Sequence, residues 1–113
     1  MPYLKIQTNL PLEETKTAEI LRDGSARCAT LLDKPEEYVM VALETLPMSF
    51  GGTTEPTAYI ELKSIDLPED ALPDLSRELC RLLQERLGIS PERIYIEFSD
   101  IEAQRWGWNG ETF

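Results

Sequence analysis

The sequence predicts an α+β fold. Two pseudo-repeated β-α-β units build one four-stranded mixed sheet with two helices on one face. Three observations predict it. Four short stretches have the alternating or β-branched character of strands, "YLKIQT" and "AYIELKSI" most clearly. Two longer stretches carry apolar residues at helical spacing. The two halves also align at an offset of about 56 residues, by the test for internal repeats. Tyr3, Leu4 and Ile6 map onto Tyr59, Ile60 and Leu62, Thr8 onto Ser64, and Pro35-Glu36 onto Pro91-Glu92.

The elements follow in order. "PYLKIQTN" sets Leu4, Ile6 and Thr8 against Lys5 and Gln7, a half-buried strand. "LEETKTAEILRDGSARCATLLD" reads as one helix with a stripe of Ala18, Leu21, Cys28, Leu31 and Leu32. The turn signal Asp23-Gly24 interrupts it at a cost of about 1 kcal/mol. Pro35 closes this region, "EYVMVALE" is strand-like, and "TLPMSFGGTTEPT" is a loop. After the strand "AYIELKSI", "PEDALPDLSRELCRLLQERLG" puts Leu72, Leu75, Leu79, Leu82 and Leu83 on one helical face. Gly88 stands at the C′ position, with Pro91 just beyond. "RIYIEFS" is the last strand of the repeat, and "DIEAQRWGWNGETF" ends in aromatics around a Gly-Trp-Asn-Gly turn signal.

At 113 residues the chain suits a single domain, 1–113, with halves of approximately 1–48 and 57–100 and a tail, 101–113. The repeat maps position 2 onto Ala58, so Pro2 is expected to begin a strand. Two β-α-β units leave one sheet face uncovered by helices, which predicts self-association.

Composition excludes several functions. There are 21 acidic residues against 11 basic ones, a net charge of −10, which repels nucleic acid and anionic membranes. No membrane span is visible, and the start of the chain has no leader pattern, so a cytoplasmic protein is expected. Cys28 and Cys80 fall in helical stretches and read as buried free thiols. The absence of histidine removes Ser-His and Cys-His pairs and most zinc sites. Neither metal nor cofactor is expected. A general base must be a carboxylate, lysine, tyrosine, cysteine or the chain's own amine.

Five segments, "MPYLKIQTN", "DKPEEYVMVAL", "PMSFGGTTEPTAYIELKSI", "LGISPERIYIEF" and "WGWNGETF", resemble the macrophage migration inhibitory factor family of the tautomerase superfamily, which includes D-dopachrome tautomerase. The likeness spans essentially the whole chain. It implies a homotrimer with active sites between subunits. It also implies that Met1 is removed and that the new N-terminal Pro2 is the catalytic base. An amine serves as a base near neutral pH only when much of it is uncharged; burial and a nearby lysine both favour that form. Without Met1 removal the Pro2 nitrogen is an amide and can do nothing of the kind.

The resemblance extends to the other site residues. Lys34 matches a lysine that meets a substrate carboxylate, and Ser64 and Ile65 match a segment whose backbone N–H contacts substrate. Tyr95 matches a tyrosine that enters the neighbouring subunit's pocket. Glu97 replaces a substrate-contacting asparagine of the vertebrate cytokine. Tyr38, Trp106, Trp108 and Phe113 are the implied pocket walls. Read from the residues alone, Lys34 is an ordinary helix-end lysine and Tyr95 a half-buried strand aromatic. Trp106 is bulkier than its vertebrate counterpart, and Lys63 replaces a family histidine and could offset Glu97. Thr57-Ala58-Tyr59-Ile60 stands in place of the vertebrate CxxC, so a thiol oxidoreductase activity does not carry over.

Two functions follow from the resemblance. One is a cofactor-free keto–enol tautomerase acting on phenylpyruvate-like 2-keto acids. The other is a cytokine-like ligand for a protein receptor, secreted without a leader and carrying a vestigial site.

Overall fold

The computed structural model describes all residues, 1–113. The elements are β1 (Tyr3–Thr8), α1 (Glu14–Leu32), β2 (Met40–Thr45), β3 (Ala58–Ile65), α2 (Leu72–Leu87) and β4 (Ile94–Ile101). A small hairpin of β5 (Gly107–Trp108) and β6 (Glu111–Thr112) follows. The main sheet has the order β2-β1-β3-β4. Each β-α-β unit contributes a parallel pair, β1 with β2 and β3 with β4. The units meet through antiparallel β1 and β3, Tyr3 opposite Lys63 and Thr8 opposite Ala58. The expected mixed sheet and pseudo-repeat are thus present.

Strand alternation decides what is buried. Leu4 and Ile6 of β1, with Ile60 and Leu62 of β3, are fully buried beneath the helices. Ile20, Cys28 and Leu32 of α1 and Leu75, Leu79, Leu82 and Leu83 of α2 complete the core. Each fully buried Leu or Ile contributes about 1.5–3 kcal/mol. Gly88 ends α2 in the left-handed region at φ 69°, as expected.

The phase of α1 differs from the expected stripe. Ala18 is exposed, and the buried line is Ile20, Gly24, Cys28 and Leu32, with Leu21 and Leu31 half-buried beside it. Gly24 is the reason. It lies inside the helix rather than at a turn, and an added Cβ there would stand 3.2 Å from Leu4 Cδ2. The bare backbone lets α1 settle closely on β1. A hydrophobic pattern assigns no face to glycine and so misses that contact.

The helices leave the other sheet face uncovered. It is not an apolar patch: Lys5 pairs with Glu44 at 3.7 Å, Lys63 with Glu61 at 3.9 Å, and Gln7 donates to Glu44 at 2.6 Å. The exposed large apolar side chains gather at the two ends of the strands instead. Tyr38, Met40, Trp108 and Phe113 lie near the start of β1, while Tyr95 is near the start of β4, packed on Phe50.

Candidate functional site

The site is built where β1 begins. Pro2 is buried, and its carbonyl accepts from the Met40 N–H at 3.0 Å, which extends the β1–β2 ladder by one rung. A proline at this first position leaves no ladder donor missing. Beside it is a cleft of about 480 Å³, lined chiefly by Met1, Pro2, Tyr38, Met40, Trp106 and Trp108. A second depression of about 300 Å³ is lined by Met1, Lys34, Tyr38, Ile65, Trp108 and Phe113. Met1, Tyr38 and Trp108 border both. Tyr38 meets Trp108 edge-on at 6.0 Å, and Trp108 stacks on Phe113 at 6.2 Å. These rings form an apolar wall of the kind that suits an aryl group.

Lys34 is positioned by the end of α1. Asp33 takes the left-handed conformation (φ 52°), which aspartate tolerates better than most residues, and the Lys34 N–H returns to the Ala29 carbonyl at 3.0 Å. Pro35 then stops the helix. The Lys34 side chain crosses to the end of β3, where Nζ donates to the Ile65 carbonyl at 3.1 Å. Burial, then the charge of Lys34, holds the terminal amine below its ordinary value against an upward pull from Asp66. The chain's amine, Lys34 and Ile65 are therefore neighbours.

Ser64 behaves differently. It is fully buried on the helix-facing side, and its hydroxyl donates to the Ile65 carbonyl at 3.0 Å. Its side chain does not line either depression. Tyr95 and Glu97 are also apart from Pro2. Tyr95 stands across from Tyr59, itself across from Gln7, five residues along β1 from Pro2. At about 3.3 Å per residue the separation is on the order of 16 Å, out of reach of the chain's own cleft. Glu97 accepts a hydrogen bond from the Tyr59 hydroxyl at 2.7 Å, which, ahead of burial and the nearby carboxylates, pushes that phenol up to about 12. Lys63 pairs with Glu61 rather than Glu97, so the expected local offset is not made directly.

The sequence reading missed Met1, Glu37, Val39 and Met40 as lining residues. Parallel pairing of β1 and β2 was the available signal, because it sets the start of β2 beside the start of β1. Both cysteines are free. Cys28 is buried and its thiol is pushed up to about 12, while half-buried Cys80 is also raised by burial. Neither is placed for thiolate chemistry. No helix is long and apolar enough to cross a membrane.

Comparison with known proteins agrees over the full length. The family model described as macrophage migration inhibitory factor (MIF) matches residues 1–113. The macrophage migration inhibitory factor homolog of Brugia malayi is 40% identical over 115 residues, covering 100% of this chain and 99% of that protein. Macrophage migration inhibitory factor of Rattus norvegicus is 37% identical over 117 residues, with the same coverage. Among solved structures, the homologue from Prochlorococcus marinus superposes with a TM-score of 0.93 at 42% identity, covering 98% of each chain.

Proposed function

The chain belongs to the macrophage migration inhibitory factor family, and from that premise we propose that it is a cofactor-free keto–enol tautomerase of phenylpyruvate-like 2-keto acids. The observation that carries the reading is the setting of the amino terminus. The amine lies in a partly apolar depression beside Lys34, and burial and that charge both lower its proton affinity. Removal of Met1 transfers this setting to the secondary amine of Pro2. It also joins the two depressions that Met1 now borders, giving one cleft with the amine on its floor and Lys34 on its rim.

The chemistry follows from that cleft. The uncharged Pro2 amine takes a proton from the carbon next to the keto group, or from the enol hydroxyl in the reverse sense. The electron pair moves into the C–C or C–O bond, and the proton returns at the other atom from Pro2 or water. Lys34 holds the substrate carboxylate as a compact cation. The Ile65 N–H and a neighbouring copy's Tyr95 orient the oxygens, that copy's Glu97 meets the far end of the ring, and Tyr38, Trp106, Trp108 and Phe113 enclose it. Ser64 serves through its backbone, because its hydroxyl is engaged elsewhere.

The assembly is part of the proposal. Each chain presents a cleft at one end of the sheet and an exposed Tyr95, backed by half-buried Phe50, at the other. Two unlike, complementary patches make a heterologous contact, which closes into a ring when the rotation allows. A homotrimer satisfies this and brings Tyr95 of one copy to the Pro2 of the next. The cytokine-like reading rests on family membership alone, whereas the amine beside Lys34 favours the enzyme.

Intact mass combined with a phenylpyruvate tautomerase assay tests the reading. The expected result is a mass lacking Met1, activity in the wild type, and loss of at least about a hundredfold in Pro2→Ala. A retained Met1 in active protein, or a Pro2→Ala variant at the wild-type rate, overturns the mechanism.

A further inference from the structure

We propose that Arg93 is a positioning residue for the active site of a neighbouring copy: it fixes Phe50, and through it Tyr95, as a rigid aromatic pair aimed out of the chain. This rests on the reading above, that Tyr95 serves another copy's cleft.

The geometry is unusual for a guanidinium in so acidic a chain. Arg93 spends its donors on carbonyls rather than carboxylates: Pro56 at 3.0 Å, Phe50 at 3.2 Å and Glu55 at 3.3 Å. Its planar fork spreads its donors over three separate carbonyls in a fixed geometry, which the compact ammonium of a lysine does not reproduce. The same guanidinium lies 5.3 Å from the centre of the Phe50 ring, within cation–π range. That ring packs against Tyr95 at 4.6 Å with a 41° tilt. Arg93 immediately precedes β4 and Tyr95 is its second residue, so one short segment holds the two residues that flank Phe50.

The loop carrying Phe50 is fixed at further points. Gly51 and Gly52 have φ of 63° and 79°, and Phe50 and Thr53 exchange backbone hydrogen bonds across this turn at 2.9 and 3.2 Å. Asn9 donates to the Thr54 and Glu55 carbonyls at 3.0 and 3.1 Å and accepts from the Thr57 N–H at 3.0 Å. The Thr57 hydroxyl donates to the Arg93 carbonyl at 2.7 Å. A loop this long without regular structure usually has a function, and here side chains replace the missing ladder. What it holds firm is not a core. Tyr95 is 65% exposed, beside a depression of about 360 Å³ that Met48 and Phe50 also line. Rigid, exposed aromatics lose little entropy when a partner covers them.

The test uses Arg93→Lys, which keeps the charge but not the bridge, with Phe50→Leu as a second variant that leaves the Arg93 side chain intact. With phenylpyruvate as substrate, each raises KM about five- to tenfold, since a displaced orienting group weakens productive binding. The mass by light scattering stays at the wild-type value. In a Tyr95→Ala background, Arg93→Lys has less than about a twofold further effect, because the group it positions is gone. An Arg93→Lys variant with wild-type KM, while Tyr95→Ala is impaired, overturns the proposal and leaves the shared site intact. Equal losses in both backgrounds also overturn it, as does dissociation of the variant; Arg93 then acts on folding or assembly. Tyr95→Ala with wild-type kinetics overturns the shared-site reading itself, and the proposal with it.

Discussion

Mixing two impaired variants tests whether the site is shared between copies. The distance from Pro2 to the chain's own Tyr95, on the order of 16 Å along the strand direction alone, forbids a site within one chain. Pro2→Ala and Tyr95→Ala are refolded together in equal amounts from denatured protein. In a cyclic trimer with random assembly, about half of the sites carry an intact Pro2, and about half of those face an intact Tyr95. About a quarter of all sites are then complete. If Tyr95→Ala alone retains about a tenth of wild-type activity, the mixture reaches about 0.28 of the wild-type value. The same proteins mixed after separate folding give about 0.05. The readout is phenylpyruvate tautomerase activity per total protein, with light scattering to verify assembly. Activity unchanged by co-refolding, in protein of trimer mass, refutes the reasoning, because Tyr95 then acts within its own chain or not at all.

Four further outcomes are expected. Lys34→Ala raises KM for phenylpyruvate about tenfold or more with a smaller change in kcat, and Lys34→Arg recovers part of the loss; steady-state kinetics decide it. Because the chain carries −10, Glu37 lines the cleft and Asp66 acts on the terminal amine, kcat/KM for this anionic substrate rises about twofold between 20 and 200 mM KCl; a fall shows that the local field of Lys34 dominates encounter. Gly24→Ala gains about 1 kcal/mol of helix propensity but crowds Leu4 at 3.2 Å, a cost of about 1–3 kcal/mol; the net loss of about 1 kcal/mol lowers Tm by about 4 °C, and a raised Tm refutes the packing argument. For Asp23, burial pushes the carboxyl up, but hydrogen bonds and charge from Arg27 and Arg86 outweigh it and hold the group below its ordinary 3.8; its stabilisation is present above that value and is lost as pH falls through the lower folded one. Asp23→Asn therefore costs about 1–3 kcal/mol at pH 7 in urea melts and converges on wild type in acid.

The main strands and helices were legible because each declares itself locally: alternation in "YLKIQT", the leucine face of α2, glycine past its end. What could not be read depends on which face a residue takes after chains far apart in sequence have paired. The side chain of Ser64 in "LKSI" carries no signal of its own; only the strand's phase shows that it turns to the helices, where its hydroxyl donates to the Ile65 carbonyl. Lys34 reads as a solvated helix end, and only the fold carries it to the end of β3, thirty-one positions away. The phase of α1 is hard to read because one position of its buried line is Gly24, packed close to Leu4, and a glycine offers no hydrophobicity to count.

The repeat explains why one chain has two unlike ends. The β1–β3 pairing relates the two units by a pseudo-two-fold, so every structural position near Pro2 has a partner near Ala58. The scaffold is duplicated on both sides, but a chain terminus exists only once. Met1 and Pro2 lead into β1, whereas a loop leads into β3. Its last residue, Thr57, donates its hydroxyl to the Arg93 carbonyl, and Ala58 after it is a core residue. No free amine arises there, and position 90, the counterpart of Lys34, is a serine. The loop that closes this second end is also the one that carries Phe50 to Tyr95. Breaking the symmetry with the amine on one side and a clamped loop on the other thus yields a cleft and an aromatic projection on the same molecule, the two unlike patches that the proposed ring would bring together.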